Sequence, residues 1–172
     1  MQRLTTYRSL QVLLVIMSVI GMSYALLFLQ RYMGLSPCPL CVFQRIGLIT
    51  MGGFALIAAL SNPKTTPFKI LLWLGSLLGI GWSTVIAARH VWLQHLPADQ
   101  VPSCGPGLDY WVETLPMKQV FSEVLSGSGE CAVIDWQFMG LSIPEQSLIF
   151  FSVLLLVHVL IFWRIVRPVV VR

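Results

Sequence analysis

Leu10 to Leu29 reads LQVLLVIMSVIGMSYALLFL, an apolar run without a single charge. As an α-helix rising 1.5 Å per residue it is about 30 Å long, the thickness of a bilayer's hydrocarbon core. Arg3 and Arg8 give it the basic start of a signal peptide. However, the run is too long for a signal's apolar region, and no small-x-small cleavage site ends it. It is read as a retained membrane span.

Three more runs follow it. Val42 to Leu60 carries only Arg45, Phe68 to Ala88 only Lys69, and Ser147 to Trp163 only His158 as a titratable group. The last is short for a span, and its start reaches back towards Ile143. The 172 residues are 56% hydrophobic and 10% charged, with a mean hydropathy of +0.81. Soluble domains average about 25% charged. These numbers exclude an ordinary soluble domain. They predict one all-α membrane domain over residues 1–172, a four-transmembrane-helix bundle with outer loops at 30–41 and 89–146. No internal repeat, phosphate loop or Ser/His/Asp set is present.

Lysine and arginine set the orientation. Arg3, Arg8, Lys64, Lys69, Arg164, Arg167 and Arg172 fall on one side of the four spans; Arg31, Arg45, Arg89 and Lys118 fall on the other. The richer side is the cytoplasmic one, so both termini are expected there. The net charge of +4 then reflects topology, and no nucleic-acid footprint is seen.

All four cysteines, Cys38, Cys41, Cys104 and Cys131, then face the outer side. An even count in an oxidising compartment suggests disulfides. For Cys104 and Cys131 alone the plain reading is a staple between loops. Cys38 and Cys41, in SPCPLCVFQR (Ser36 to Arg45), have a redox or metal spacing instead. Zinc would need four ligands and there is one such pair. No resident metal is expected, although His90 and His95 complete a site on paper.

Local chemistry favours redox. Proline suits the first helical position, so Cys38 is placed at the N-cap, Pro39 at N1 and Cys41 near N3. Cys41 then meets the positive end of the helix dipole, with Arg45 one turn away on the same face. Both favour a thiolate. Arg45 alone would read as a snorkelling interfacial arginine; beside Cys41 the functional role is preferred. A reactive thiolate at a membrane boundary can meet a lipid-soluble electron acceptor, most plausibly a quinone.

PCPLCVFQR, RHVWLQ (from Arg89), SCG (from Ser103) and GECAVIDWQFMGLSIP (from Gly129) together resemble the DsbB family of bacterial membrane proteins that make disulfides. The resemblance covers nearly the whole chain. It implies a thiol–quinone oxidoreductase of the inner membrane, with its cysteines on the periplasmic side, that reoxidises a DsbA-like thiol oxidase and passes electrons to ubiquinone or menaquinone. By the same resemblance, Cys104 receives the partner's thiolate, Cys131 then attacks Cys38, and Cys41 donates to the quinone beside Arg45 and His90. Gln44 stands where some members carry an acidic residue. Two rivals remain open: a vitamin K epoxide reductase-like thiol oxidase, whose CxxC precedes the last core helix, and a non-enzymatic protein with two structural disulfides.

Leu108 to Leu125 places Val120, Phe121, Val124 and Leu125 at helical spacing, predicting a short helix on the membrane surface or packed on the bundle. SGSGE, Ser126 to Glu130, reads as a hinge before Cys131 or an ordinary turn. GSLLG, Gly75 to Gly79, permits close helix approach. His95 reads as a loop residue and His158 as packing within the bundle.

Overall fold

The computed structural model describes residues 6–97 and 99–166. Arg3, Arg167 and Arg172 lie outside the described residues. Among those described, four helices are long and apolar enough to cross a membrane: Tyr7–Tyr32, Pro39–Ser61, Thr66–Gln94 and Ile143–Val166. The protein is thus an all-α, multi-pass membrane protein, as the hydropathy predicts.

Each helix begins and ends where local chemistry directs. In α1 (Tyr7–Ser23) the Thr6 hydroxyl accepts the Ser9 N–H at 3.3 Å. The chain then continues as a π-helix over Tyr24–Tyr32. Helix α2 (Pro39–Ser61) opens with Pro39 and stops at Asn62, which takes a left-handed conformation. Helix α3 (Thr66–Gln94) again opens with a proline in its first turn. The outer layer holds α4 (Leu108–Thr114), α5 (Met117–Ser126), α6 (Gly129–Ala132) and a hairpin of β1 (Gln137–Phe138) and β2 (Leu141–Ser142). Met139 and Gly140 both have positive φ, as a tight two-residue hairpin turn requires. Helix α7 (Ile143–Val166) is entered through Ser142, whose N–H is accepted by the Glu145 carboxylate at 2.7 Å.

The helices run past the apolar runs at their outer ends. Helical geometry continues through Tyr32, restarts at Pro39 and extends to Gln94, so the helices leave 33–38 between the first two spans and 95–142 between the last two. Hydropathy marks where lipid ends, whereas backbone hydrogen bonding carries the helix on into polar residues such as Arg89 and His90.

Helices α2 and α3 pack backbone to backbone. A Cβ on Gly79 would stand 2.6 Å from the Met51 nitrogen and 2.7 Å from the Gly47 carbonyl oxygen. A Cβ on Gly75 would meet the Phe54 ring at 2.6 Å. The GSLLG run therefore faces α2, and small residues allow the approach. Ser83 and Ser76 donate across this seam to the carbonyls of Gln44 (2.8 Å) and Met51 (3.3 Å). His158 of α7 is buried against Ser76, with Nε2 2.9 Å from its hydroxyl. The inner core holds Leu14, Met51, Ala55, Ile80, Leu154 and Ile161. Other faces, bearing Val19, Leu60, Leu78 and Leu156, point outward and are apolar as lipid demands.

At the outer end a second apolar cluster seats the loop. Val120 and Val124 of α5, one turn apart, are buried with Leu40, Phe43, Ile86, Leu93 and Trp111. The expected surface helix is therefore two short helices resting on the bundle. Phe121 meets the Phe43 ring edge-on at 5.3 Å.

Candidate active site

Cys38 is the N-cap of α2 and Pro39 its first residue. The Cys38 sulfur accepts the Cys41 N–H at 3.4 Å and donates its own proton to the Cys41 sulfur at 3.0 Å. Three residues of chain, with φ fixed at Pro39, are enough to face these two sulfurs.

His90, buried near the end of α3, lies against both. Its Nε2 is 3.8 Å from Cys38 Sγ and its Nδ1 is 4.0 Å from Cys41 Sγ. The Gln44 Nε2 stands 3.4 Å from His90 Nδ1. An amide nitrogen only donates, so Nδ1 accepts and the neutral ring carries its proton on Nε2. Gln44 thus serves the imidazole, and Arg45 finds other partners. Its Nη1 donates to Gln30 Oε1 at 3.0 Å, and its Nη2 reaches the Ala25 carbonyl at 3.5 Å. Cys41 and Arg45 share a cleft, as their spacing predicts, but the hydrogen-bonding neighbours of the Cys41 sulfur are Cys38 and His90.

Cys131 arrives from the loop. Cys38 Sγ, Cys131 Sγ and a His90 ring nitrogen all lie within 4.8 Å of one another. Cys131 is 1% exposed, within the outer apolar cluster. Arg89 fastens the preceding segment, donating to the carbonyls of Leu125 (3.1 Å) and Ser126 (3.0 Å) while lying over the Trp92 ring. Gly127, at φ 84°, turns the chain where a Cβ would strike Leu93. Ser128 and Gly129 are buried, so SGSGE is a seated turn here and not an open linker.

Cys104 is exposed and stands outside the thiol cluster. Its segment nonetheless touches that of Cys131: the Gly129 N–H donates to the Ser103 carbonyl at 3.2 Å. A Cβ on Gly129 would come within 3.0 Å of Cys104 Sγ.

The sulfurs of Cys38 and Cys131, both outside the membrane helices, ionise differently. The Cys38 thiol donates towards Cys131 and Cys41 and is partly buried, which pushes its own ionisation up. Cys131 receives that hydrogen bond, then one from the Ser128 hydroxyl, and lies near His90. Together these outweigh its burial and lower its pKa to about 6. Cys131 is therefore the more readily ionised of the two, and Cys38 keeps its proton.

A cleft of about 330 Å³ opens between the π-helical turn, α2 and α7. Cys41, Gln44, Arg45 and His90 are among its polar lining, and Leu48, Phe150 and Phe151 among its apolar lining. Sequence reasoning missed Gln30, Arg89 and Ser128. None has a signal in local spacing, because each acts on a residue brought close only by folding.

The family described as "Disulfide bond formation protein DsbB" matches residues 7–161. Disulfide bond formation protein B of Psychrobacter cryohalolentis is 75% identical over 168 residues, covering 98% of this chain and 96% of the relative. The protein of that name from Acinetobacter baylyi is 54% identical over 168 residues, covering 96% of each. That from Chromobacterium violaceum is 48% identical over 129 residues, covering 73% of this chain and 75% of its own length. With a match of this extent laid over four spans and a CxxC at the start of the second, the chain belongs to the DsbB family.

Proposed function

We propose that this protein is a disulfide-forming oxidoreductase that oxidises the dithiol of a periplasmic DsbA-type partner and delivers the electrons to a membrane quinone, ubiquinone or menaquinone. In this reading it sits in the bacterial inner membrane with both termini cytoplasmic. The carrying observation is the wall shared by Cys41, Arg45 and His90 in an apolar cleft, with Cys38 of the same pair within reach of Cys131.

The exchange starts with Cys104 joined to Cys131 and Cys38 joined to Cys41. A partner thiolate attacks exposed Cys104; the Cys104–Cys131 bond breaks and Cys131 leaves as a thiolate. The Ser128 hydroxyl beside its sulfur and the nearby His90 favour the departing thiolate. Cys131 next attacks Cys38, the Cys38–Cys41 bond breaks, and Cys41 is released into the cleft. The partner's second thiol resolves the mixed disulfide and frees Cys104, which attacks Cys131 and frees Cys38. The partner has then lost two electrons and two protons, now held by Cys38 and Cys41.

The cleft fits a ring-shaped acceptor. Its volume lies in the range of small-molecule sites, its walls are mainly apolar and aromatic, and few polar groups converge on one side. A quinone, when bound, supplies the two-electron, two-proton sink that closure of the Cys38–Cys41 disulfide needs. Arg45 holds positive charge at the cleft wall, anchored by Gln30 and the Ala25 carbonyl. His90, steadied by Gln44, can hold or pass a proton between the two sulfurs. The acceptor must pull hard, because DsbA-type oxidants lie near −120 mV and a 60 mV mismatch costs about 3 kcal/mol.

The test is quinone reduction by purified protein in detergent with a reduced DsbA-type donor. Turnover should require donor and quinone and fall at least ~1,000-fold in Cys41→Ser. Folded protein that reduces neither quinone, or a Cys41→Ser variant that turns over normally, would refute the proposal.

A further inference from the structure

Three soft ligand atoms converge at the outer end of the bundle, and the disulfide relay does not exhaust what they can do. Cys38 Sγ, Cys131 Sγ and a His90 ring nitrogen lie within 4.8 Å of one another. The geometry points to a redox-gated metal site: in the fully reduced chain, Cys38, His90 and Cys131 capture one soft divalent cation of the zinc or cadmium class.

The distances suit it. Zinc–sulfur and zinc–nitrogen bonds of about 2.3 and 2.0 Å in a tetrahedron put sulfur and nitrogen ligands about 3.5 Å apart. Cys38 Sγ and His90 Nε2 are 3.8 Å apart before any ion draws them in. His90 is held by a group able to support it. Gln44 stands at its other ring nitrogen, and rotating the carboxamide presents an oxygen to Nδ1–H, leaving Nε2 free to ligate. His95, the other histidine the sequence offers, does not join. Its Nδ1 is 2.8 Å from the Val91 carbonyl oxygen of its own helix and its Nε2 faces Glu145 at 3.9 Å.

A small cavity adjoins two of the three ligands, Cys38 and His90. It measures about 50 Å³ and is lined by Cys38, Cys41, His90, Glu130, Asp135 and Trp136. It has room for a water as the fourth ligand. Its two carboxylates attract a cation to the mouth. It shares Cys41, His90, Ile143 and Pro144 with the apolar cleft described above.

Capture balances simply. Both sulfurs ligate as thiolates and the imidazole ligates neutral, so the dication displaces only the protons these three groups still carry. No electron moves. The gate is oxidation state. A Cys38–Cys41, Cys38–Cys131 or Cys104–Cys131 disulfide each removes at least one ligand, so only the four-thiol chain binds. Metal would therefore hold the protein reduced and stop thiol exchange at Cys131. The inference needs only the clustered ligands, not the identity of the electron acceptor.

The experiment uses the full chain in detergent without oxygen, reduced by a phosphine that is then removed. Zinc is titrated against a chromophoric chelator, and cadmium is followed by its thiolate charge-transfer absorbance. One ion per chain is expected, with release of whatever protons the two thiols still hold at the working pH. Affinity should fall ~100-fold in Cys131→Ser and in His90→Gln, and stay unchanged in Cys104→Ser and His95→Gln. Chain oxidised to disulfides should bind none. Circular dichroism confirms that each variant is helical, and Cys131→Ser stands as the deciding variant if His90→Gln misfolds. Failure of the reduced chain to compete for micromolar zinc, or binding lost in Cys104→Ser but kept in Cys131→Ser, would overturn the site. Because neither donor nor quinone is present, either result leaves the proposed electron transfer to be judged by its own assay.

Discussion

The two cysteine pairs are built in opposite ways. Cys38 and Cys41 sit at a helix N-terminus, and Pro39 and the first helical turn hold their sulfurs 3.0 Å apart. Cys104 and Cys131 are separated by two short helices, α4 and α5, one exposed and the other buried. The first pair is placed by local geometry on a rigid bundle. The second is placed by tertiary contacts: the α5 valines, the Arg89 hydrogen bonds and the Gly129–Ser103 bond. In the proposed function, a relay that passes electrons from a soluble partner to a membrane acceptor gains from this division. In that scheme the inner pair stays aimed at the cleft, while the outer pair presents Cys104 to the partner and Cys131 to Cys38.

The severest way to break the comparison is to damage what both pairs rest on. In Gly79→Ala the new methyl would meet the Met51 nitrogen and the Gly47 carbonyl, which are backbone atoms unable to swing away. Helices α2 and α3 would have to separate, straining the Ser83–Gln44 and Ser76–Met51 hydrogen bonds. We expect a loss of about 3 kcal/mol, seen as a lower thermal midpoint in detergent, with both thiol pairs affected together. A variant of unchanged midpoint would mean that the seam is looser than this packing implies.

Arg89→Ala separates the pairs. It removes two charge-assisted bonds to the Leu125 and Ser126 carbonyls, worth about 1–2 kcal/mol at a partly exposed site. The loop should lift locally while the bundle stays folded. Alkylation of Cys131 in the reduced protein should accelerate ~10-fold, the equivalent of about 1.4 kcal/mol, with Cys38 and Cys41 unchanged. Equal acceleration at all four cysteines would show that the outer end moves as one body.

The same division explains what the sequence discloses. Cys38 as N-cap, Pro39 at N1 and Cys41 in the first turn are legible because each depends on neighbours within four residues. The spans are legible because lipid demands runs of apolar side chains. The π-helical segment at Tyr24–Tyr32 is not, since nine residues are too few to separate its period from that of an α-helix. The Gln30–Arg45 and Arg89–Leu125 contacts are not legible either, because they join residues 15 and 36 apart whose meeting depends on how helices and loop pack. Gln44 and Arg45 are adjacent in sequence but serve different partners. Successive helical residues point about 100° apart, and so Gln44 turns to His90 while Arg45 turns to the π-helical segment.

The smallest effect tests whether the pairs are as separate in chemistry as in construction. The Cys131 pKa of about 6 rests first on a hydrogen bond from the Cys38 thiol, then on Ser128 and the nearby His90. An ordinary cysteine titrates near about 8.5. Its pKa is thus lower in the folded state than in the unfolded chain, so its stabilising contribution in the reduced protein is full above about 8.5. That contribution fades as pH falls through 6. Cys38→Ala deletes the leading donor. The midpoint of the Cys131 thiolate, followed by ultraviolet thiolate absorbance in a variant that also carries Cys41→Ser and Cys104→Ser, should move up from about 6. The rise of stability with pH between 6 and 8.5 should flatten in parallel. Should the midpoint stay near 6 without Cys38, Ser128 and His90 would suffice, and the loop pair would be electrostatically independent. A rise would mean that, in the reduced protein, the Cys38 thiol of the helix-end pair tunes the ionisation of Cys131 in the loop pair.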